Sequence, residues 1–485
     1  MSHERKRVPF PLIVYAVALI LRLVPALLSH NLGIGLDDMF QYDMLGRSLA
    51  AGNGFRWYAP PDLEMLLNAL RYYVGLDTSG ITLPLDPRGL LTSFRAPVYP
   101  VFLAAIYILS GLQARFFAVR IVQAFVMASI APMTYFLAQR LGASRRHARI
   151  AAWIPAAWPL LLLLPLGLAT ENLFIPLLTA GMLMLFKAVE SRRLRDTALS
   201  GLIFGLATLT RSVVVGFPAL AAIWLWVRKM RRHAVLLMLV IAILVVPWCV
   251  RNTLLHGRLT LVETSMGYNL YLGYHPEGDG SFIFGPSVDL ITILDDAERD
   301  AEGRQRAWEF IQQDPGRVPG LMLRKLGHLF GLEDRIFVYF YSNGLLGTLP
   351  SWLVIALFLL LVLPLVFLLP LAILGLVSGE RNYAWQLTLM LFAWYIGAHM
   401  LIMAEERFHL AILPLLAALA GRGLTNWRAL RQNLRERKRW AIVAISVAAV
   451  LILLAVVNWG FELYANADRL ALLFGPEGSS AHFTY

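Results

Sequence analysis

Apolar runs long enough to cross a bilayer recur along nearly the whole chain, from residues 8–28 near its start to 440–459 near its end. A hydrocarbon core about 30 Å thick takes roughly 20 helical residues to span. Inside it every backbone polar group must be satisfied by the protein, so only helices and closed barrels cross. These runs are twice the length of a barrel strand, and they constrain the chain to an all-α polytopic membrane fold. Composition agrees, with 58% hydrophobic and 15% charged residues against about 25% charged in soluble domains.

The net charge of +12 would suit a nucleic-acid binder if the basic residues formed one patch. They fall instead in short clusters between apolar runs: Arg5 to Arg7, Arg140 to Arg149, Arg192 to Arg195, Arg228 to Arg232 and Arg428 to Arg439. That is the pattern of cytoplasmic loops, and it excludes nucleic acid as a partner. The single cysteine, Cys249, excludes an intrachain disulfide and a cysteine-built metal site. The positive N-terminus precedes an apolar run without a small-residue cleavage site, which reads as a retained anchor rather than a signal peptide.

Placing the basic clusters inside fixes the topology. The first helix (8–28) runs outward and residues 29–113 form a large first outer loop. Segment 97–110 has only 14 residues, and a crossing there would put Arg140 to Arg149 outside, so it reads as an interfacial or re-entrant helix. Further spans are expected at 114–139, 149–166, 172–189, 197–210, 213–228, 234–250, 351–376, 384–404, 408–421 and 440–459, about eleven crossings in all. Residues 251–350 form a second outer region, with a charged surface helix at 295–313. Two parts follow: a transmembrane module over 1–421, and 422–485 as a cytoplasmic basic loop, a last span and a short outer tail.

The first outer loop opens with the densest set of chemistry-bearing residues. Asp37, Asp38 and Asp43 flank Tyr42, and Met44, Leu45 and Leu49 follow before a Gly52, Gly54 stop, the pattern of a short amphipathic helix on a membrane surface. Carboxylates at a helix start also act simply as caps, and that remains an alternative for Asp37. Charged residues inside spans are costly, so their depth is informative. Arg22, Arg120, Glu171, Arg211, Arg251 and the run Glu405, Glu406, Arg407 all lie near the outer ends of their segments. Singly, each arginine could be snorkelling to the headgroups; together they suit a lipid-borne phosphate, since guanidinium forks match phosphate oxygens. A nearby carboxylate could take a proton from an incoming hydroxyl. The combination suggests group transfer from a lipid phosphate.

Six motifs in order carry a family resemblance over most of the chain: Asp38, Tyr42, Leu49 and Gly52-Asn53-Gly54-Phe55; Arg95, Pro97, Tyr99 and Pro100; Thr170-Glu171; Gly205 to Arg211; Pro247, Trp248, Arg251 and Asn252; and Asn269, Leu270 and Gly273. In these the chain resembles the GT-C glycosyltransferases of the bacterial protein O-mannosyltransferase and aminoarabinose (lipid A) transferase group. The resemblance implies a GT-C fold with interfacial helices on the first outer loop. It implies a polyprenyl-phosphate-linked sugar as donor, and a lipid, glycan or protein acceptor at the outer, periplasmic face of the bacterial inner membrane.

It also implies roles: Asp38 as catalytic base, with Asp37 beside it and Glu171 across the same cavity; Arg211 on the donor phosphate, then Arg251, Arg407 and Arg120; and Tyr42, Arg95, Tyr99 and Asn269 in substrate contact. Met39 after Asp38 departs from the Asp-Glu pair of protein mannosyltransferases, which argues against protein as the acceptor. No cofactor is required. A divalent ion shared by aspartates and a lipid phosphate through oxygen is left open, whereas His256 and His275 read as solvated loop histidines. A flippase of lipid-linked sugars, or a noncatalytic partner in envelope assembly, stands as the alternative class. Midplane sites on interrupted helices would favour the flippase, and the outer placement of the charges favours the enzyme.

Overall fold

A computed structural model describes residues 8–35, 38–75, 77–78, 80–81, 85–342, 344 and 346–481. The Arg5 to Arg7 cluster and Asp37 lie outside the described residues. The first span is α1 (Phe10–Leu28), and the first outer loop then builds α2 (Asp38–Ala50), β1 (Arg56–Trp57), α3 (Pro60–Val74), β2 (Leu90–Leu91) and α4 (Val98–Ser110). The β1–β2 pair is an antiparallel ribbon, with Arg56 opposite Leu91, that an all-helical reading did not anticipate. Next come α5 (Arg115–Ala128), α6 (Ile130–Arg140), α7 (Arg145–Ala157), α8 (Pro159–Leu163), α9 (Glu171–Ser191), α10 (Leu194–Thr208), α11 (Gly216–Val227) and α12 (Arg231–His256). The second outer region holds α13 (Met266–Tyr274), α14 (Phe284–Ser287), α15 (Asp296–Gln313), α16 (Arg317–Leu329) and α17 (Arg335–Ser342). The remaining helices are α18 (Ser351–Val377), α19 (Tyr383–Leu401), α20 (Leu413–Arg435), α21 (Arg439–Ala465) and α22 (Ala467–Phe474).

Among the described residues six helical stretches are long and apolar enough to span, namely α1, α5 with α6, α9, α12, α18 and α21, and a seventh is added if α7 and α8 count as one bent span. The chain is thus a multi-pass membrane protein, but length and apolarity do not give eleven crossings. Helices α10 and α11 have 15 and 12 residues, and α19 and α20 mix polar groups into their lengths. The part boundary expected after Gly421 falls inside α20, which continues unbroken to Arg435. Segment 97–110 becomes α4, a short apolar helix below spanning length. With Ser144→Cys in a Cys249→Ser background, an impermeant reagent added to intact cells should leave position 144 unlabelled, because only that parity keeps Arg140 to Arg149 inside. Labelling from outside would overturn the topology.

Helix α2 is fixed in place by one buried carboxylate. Asp43, 2% exposed, accepts from Arg47 one turn on at 2.8 Å, from Arg115 of α5 at 2.8 Å and from the Tyr107 hydroxyl of α4 at 3.0 Å. Arg47 also reaches Asp62 of α3 at 3.0 Å. Gly46 lets α2 approach α4 closely, since a Cβ there would sit 2.9 Å from the Tyr107 ring. A buried carboxylate with three donors leaves all of them short when removed. Asp43→Leu should therefore lower the thermal midpoint of the purified protein by several degrees, corresponding to about 3 kcal/mol, whereas Asp62→Leu, losing one partly exposed pair, should change it by about a third of that.

Candidate functional site

Asp38 is the first residue of α2, half-exposed, and Gln41 and Tyr42 follow one turn later on the same face. Arg95, in the loop between β2 and α4, meets all three. Its guanidinium forms an ion pair with Asp38, donates to Gln41 Oε1 at 2.9 Å and 2.7 Å, and lies 5.2 Å from the centre of the Tyr42 ring. Burial works against the Arg95 charge, and Asp38 together with Tyr42, Glu263 and Tyr268 outweighs it, so the guanidinium is held above its ordinary pKa. Tyr42 is buried and packs edge-on against Tyr99 at 5.1 Å. Burial pushes its phenol up to about 12, so it remains protonated.

A second set forms where the outer turns meet. Glu171 opens α9 and Arg211 sits in the turn after α10; Arg211 donates to Glu171 at 2.6 Å. Both side chains are largely buried, at 7% and 21% exposure, so their interaction is little screened. Arg211 also lies over the Phe408 ring at 5.0 Å. Arg407, from the turn Glu406–Ala411 that precedes α20, acts electrostatically on both Glu171 and Arg211. Two guanidinium groups near one carboxylate leave a net positive charge there, which suits an anion.

The two sets are joined where α4, which follows Arg95, meets the turn after α10, through a Val98 N–H to Leu209 O bond of 3.0 Å. Glu263, in the loop after α12, accepts from Ser212 beside Arg211. The loop around it is stitched to the Arg95 loop by a Thr264 N–H to Ser93 O bond of 3.0 Å. These bonds hold the Arg95 loop against the turn that carries Arg211, with Asp38 paired to Arg95 on one side and Glu171 paired to Arg211 on the other.

Other residues of the expected site are used differently. Arg120 is buried and donates to the carbonyls of Leu166, Ser29, Leu32 and Gly33, tying α1 to the end of the α7–α8 bend. Arg22 is fully buried and donates to Ala18 O, Ala156 O and Pro155 O. The last two lie where α7 breaks by 54° into the following apolar helix. Arg120 thus spends donors on carbonyls of the loop after α1 and of Leu166, and Arg22 on carbonyls at the α7 break. Tyr99, with no exposed surface, donates to Gln123 at 2.7 Å and packs behind Tyr42. Arg251 donates to Thr92 O at 2.6 Å and lies 5.7 Å from the centre of the Phe55 ring and 4.9 Å from that of Trp248.

Asn269 is half-buried on α13, and its neighbour Tyr268 is the residue that senses Asp38 and Arg95. His256 is not a free loop histidine, as its Nε2 is 2.7 Å from Ser93 Oγ. Gln41, Glu263 and Tyr268 were missed by sequence reasoning. Gln41 was accessible from its three-residue spacing to Asp38, and the other two carry no local signal.

Asp38 faces an arginine, which makes a poor start for a divalent-ion site. Among the described residues, three carboxylates with ligand atoms within 4.8 Å of one another occur at Asp334, Glu406 and Glu462. Burial pushes Asp334 up to about 6 and lifts Glu406 above the usual carboxylate range.

Residues 94–250 match the model of the dolichyl-phosphate-mannose-protein mannosyltransferase family. The matched stretch contains Arg95, Glu171 and Arg211 and supports a GT-C fold glycosyltransferase. No curated protein matches the chain. Among solved structures, ArnT from Cupriavidus metallidurans bound to undecaprenyl phosphate aligns at 15% identity and TM-score 0.45, over 97% of this chain and 73% of that one. The apo oligosaccharyltransferase of Archaeoglobus fulgidus aligns at 15% identity and TM-score 0.45 over 98% of this chain, which spans 56% of that protein's length.

Proposed function

We propose that this chain is an integral-membrane glycosyltransferase that moves a sugar from a polyprenyl-phosphate donor to an acceptor hydroxyl. The reaction is placed at the outer, periplasmic face of a bacterial inner membrane, with the N-terminus in the cytoplasm. In this reading Asp38 removes the proton from the acceptor hydroxyl as its oxygen attacks the anomeric carbon. The bond between that carbon and the phosphate oxygen breaks, and the lipid phosphate departs with the electron pair, its charge held by Arg211 and Arg407. Arg95 and Gln41 hold Asp38 in position, and Tyr42 separates the acceptor end from the phosphate end while staying protonated.

The observation that carries this reading is the joining of the Asp38–Arg95 pair to the Arg211 turn by the Val98 N–H to Leu209 O bond and by the Glu263 loop, with Phe408, next to Arg407 in the chain, against the Arg211 guanidinium. General-base help from a placed carboxylate contributes about 10²–10⁴ in rate, and a phosphate needs no protonation to leave. A family whose description names a lipid-phosphate sugar is in keeping with that donor class. Mass spectrometry of surface glycolipids, glycans and glycoproteins from cells with and without the protein tests the reading. The expected result is one species lighter by a single sugar in cells lacking it, which would identify both sugar and acceptor; unchanged species in all three classes would overturn it.

A further inference from the structure

Arg407 is carried by a strap, residues 402–411, between α19 and α20, and the strap is held by buried side chains rather than by long helices. Lys325 of α16 donates to Ile402 O at 2.8 Å, His399 Nδ1 is 3.1 Å from Met403 O, and the Tyr395 hydroxyl donates to Phe408 O at 2.9 Å. Two residues beyond Arg407, His409 is fully buried against an equally buried Glu333 in the loop after α16, with Nε2 and Oε1 2.6 Å apart. His409 Nδ1 lies 3.0 Å from Leu329 O; a carbonyl only accepts, so Nδ1 carries a hydrogen and the 2.6 Å link contains one further proton. Trp158 completes the network by donating from Nε1 to both Glu333 oxygens at 3.0 Å. Trp158 is the residue at the break between α7 and α8.

We infer that Glu333, acting through His409, is a positioning residue for the donor phosphate: it pins the strap to the bent α7–α8 span and thereby sets where the Arg407 guanidinium lies relative to Arg211. The inference rests on the donor-site reading above. A fully buried polar network with every member paired has one low-energy arrangement, and removing one member leaves the others unsatisfied. Glu333 and His409 bond to each other, to Leu329 O and to Trp158, so their influence on an anion at the Glu171–Arg211 pair passes through the backbone of the strap. Glutamine at 333 can preserve the network, with its amide donating to His409 Nε2 and its carbonyl accepting from Trp158. Leucine cannot. The inference thus separates hydrogen-bonded positioning from a direct effect of the Glu333 charge.

The test uses the purified full chain in detergent and farnesyl phosphate as probe, with affinity read by titration calorimetry and folding by the thermal midpoint. Glu333→Leu should weaken farnesyl phosphate about tenfold, the worth of one charge-assisted hydrogen bond, while Glu333→Gln stays within about twofold. In an Arg407→Gln background Glu333→Leu should add less than about twofold, because a residue acting through Arg407 has nothing left to act upon. If Glu333→Leu does not fold, Trp158→Phe removes one donor at nearly constant shape and should show the same dependence on Arg407 with about a threefold loss. Full multiplication of the Glu333 and Arg407 losses, or unchanged affinity in folded Glu333→Leu while Arg407→Gln is weakened, overturns the inference alone. Failure of the wild-type protein to bind farnesyl phosphate overturns the donor-site reading and the inference with it.

Discussion

Asp38→Asn should reduce sugar transfer by about 10²–10⁴ while leaving the amount of folded protein and the affinity for a polyprenyl phosphate nearly unchanged. The asparagine carbonyl can still accept from Arg95, and Gln41 holds the same guanidinium through two further bonds of 2.9 Å and 2.7 Å, so the geometry of the loop should survive loss of the charge. What is lost is the lone pair able to take the acceptor proton. Asp37→Asn should cost less if that residue only caps the helix. Turnover is measured with a radiolabelled lipid-phosphate sugar and membrane extract as acceptor. Near-normal turnover in Asp38→Asn would move the base elsewhere. The next candidate would be Glu263, because Asp43 is already committed to Arg47, Arg115 and Tyr107.

The second large effect is expected at Arg211. Arg211→Ala alone would be misleading, since it strands the Glu171 carboxylate in a largely buried site at a cost of about 3–5 kcal/mol and would register as a folding defect. In the pair Arg211→Gln with Glu171→Gln both charges go together and the recess remains polar. Affinity for farnesyl phosphate should then fall on the order of 100-fold, as expected for removing a buried charge that contacts an anion. Arg211→Lys keeps the charge but loses the planar fork, and an intermediate loss of about tenfold is expected. Unchanged affinity in the double variant would remove Arg211 from the donor site.

The sequence was a good guide wherever one chain segment decides its own structure. A helix expected after the first span appears as α2, the charged helix expected at 295–313 appears as α15 with Asp295 as its N-cap, and the short apolar segment 97–110 appears as the 13-residue helix α4. The spacing of Asp38 and Tyr42 placed both on the face that Arg95 contacts. Less legible was the number of crossings, because α10, α11, α19 and α20 depend on neighbours rather than on their own apolarity. Pairings such as Glu263 with Ser212, or Glu333 with His409, join residues 51 and 76 positions apart, and nothing in the local pattern of either segment announces them.

By itself the sequence determined that this chain lives in a membrane, which segments can be helical there, and that several arginines lie near the outer ends of those segments. Depth follows from the cost of placing charge in hydrocarbon, which each segment meets alone. The tertiary structure decided what each arginine does. Arg22, Arg120 and Arg211 look alike along the chain, but a guanidinium has only five N–H donors, and the nearest acceptors in space claim them. For Arg22 those acceptors are the Pro155 and Ala156 carbonyls released where α7 breaks, 133 and 134 residues away. For Arg120 they are carbonyls of the loop after α1 and of Leu166. The acceptors described for Arg211 are side chains, the Glu171 carboxylate at 2.6 Å and the Thr170 hydroxyl at 3.5 Å, beside two aromatic faces, and that difference in acceptors is what makes it the candidate for a phosphate.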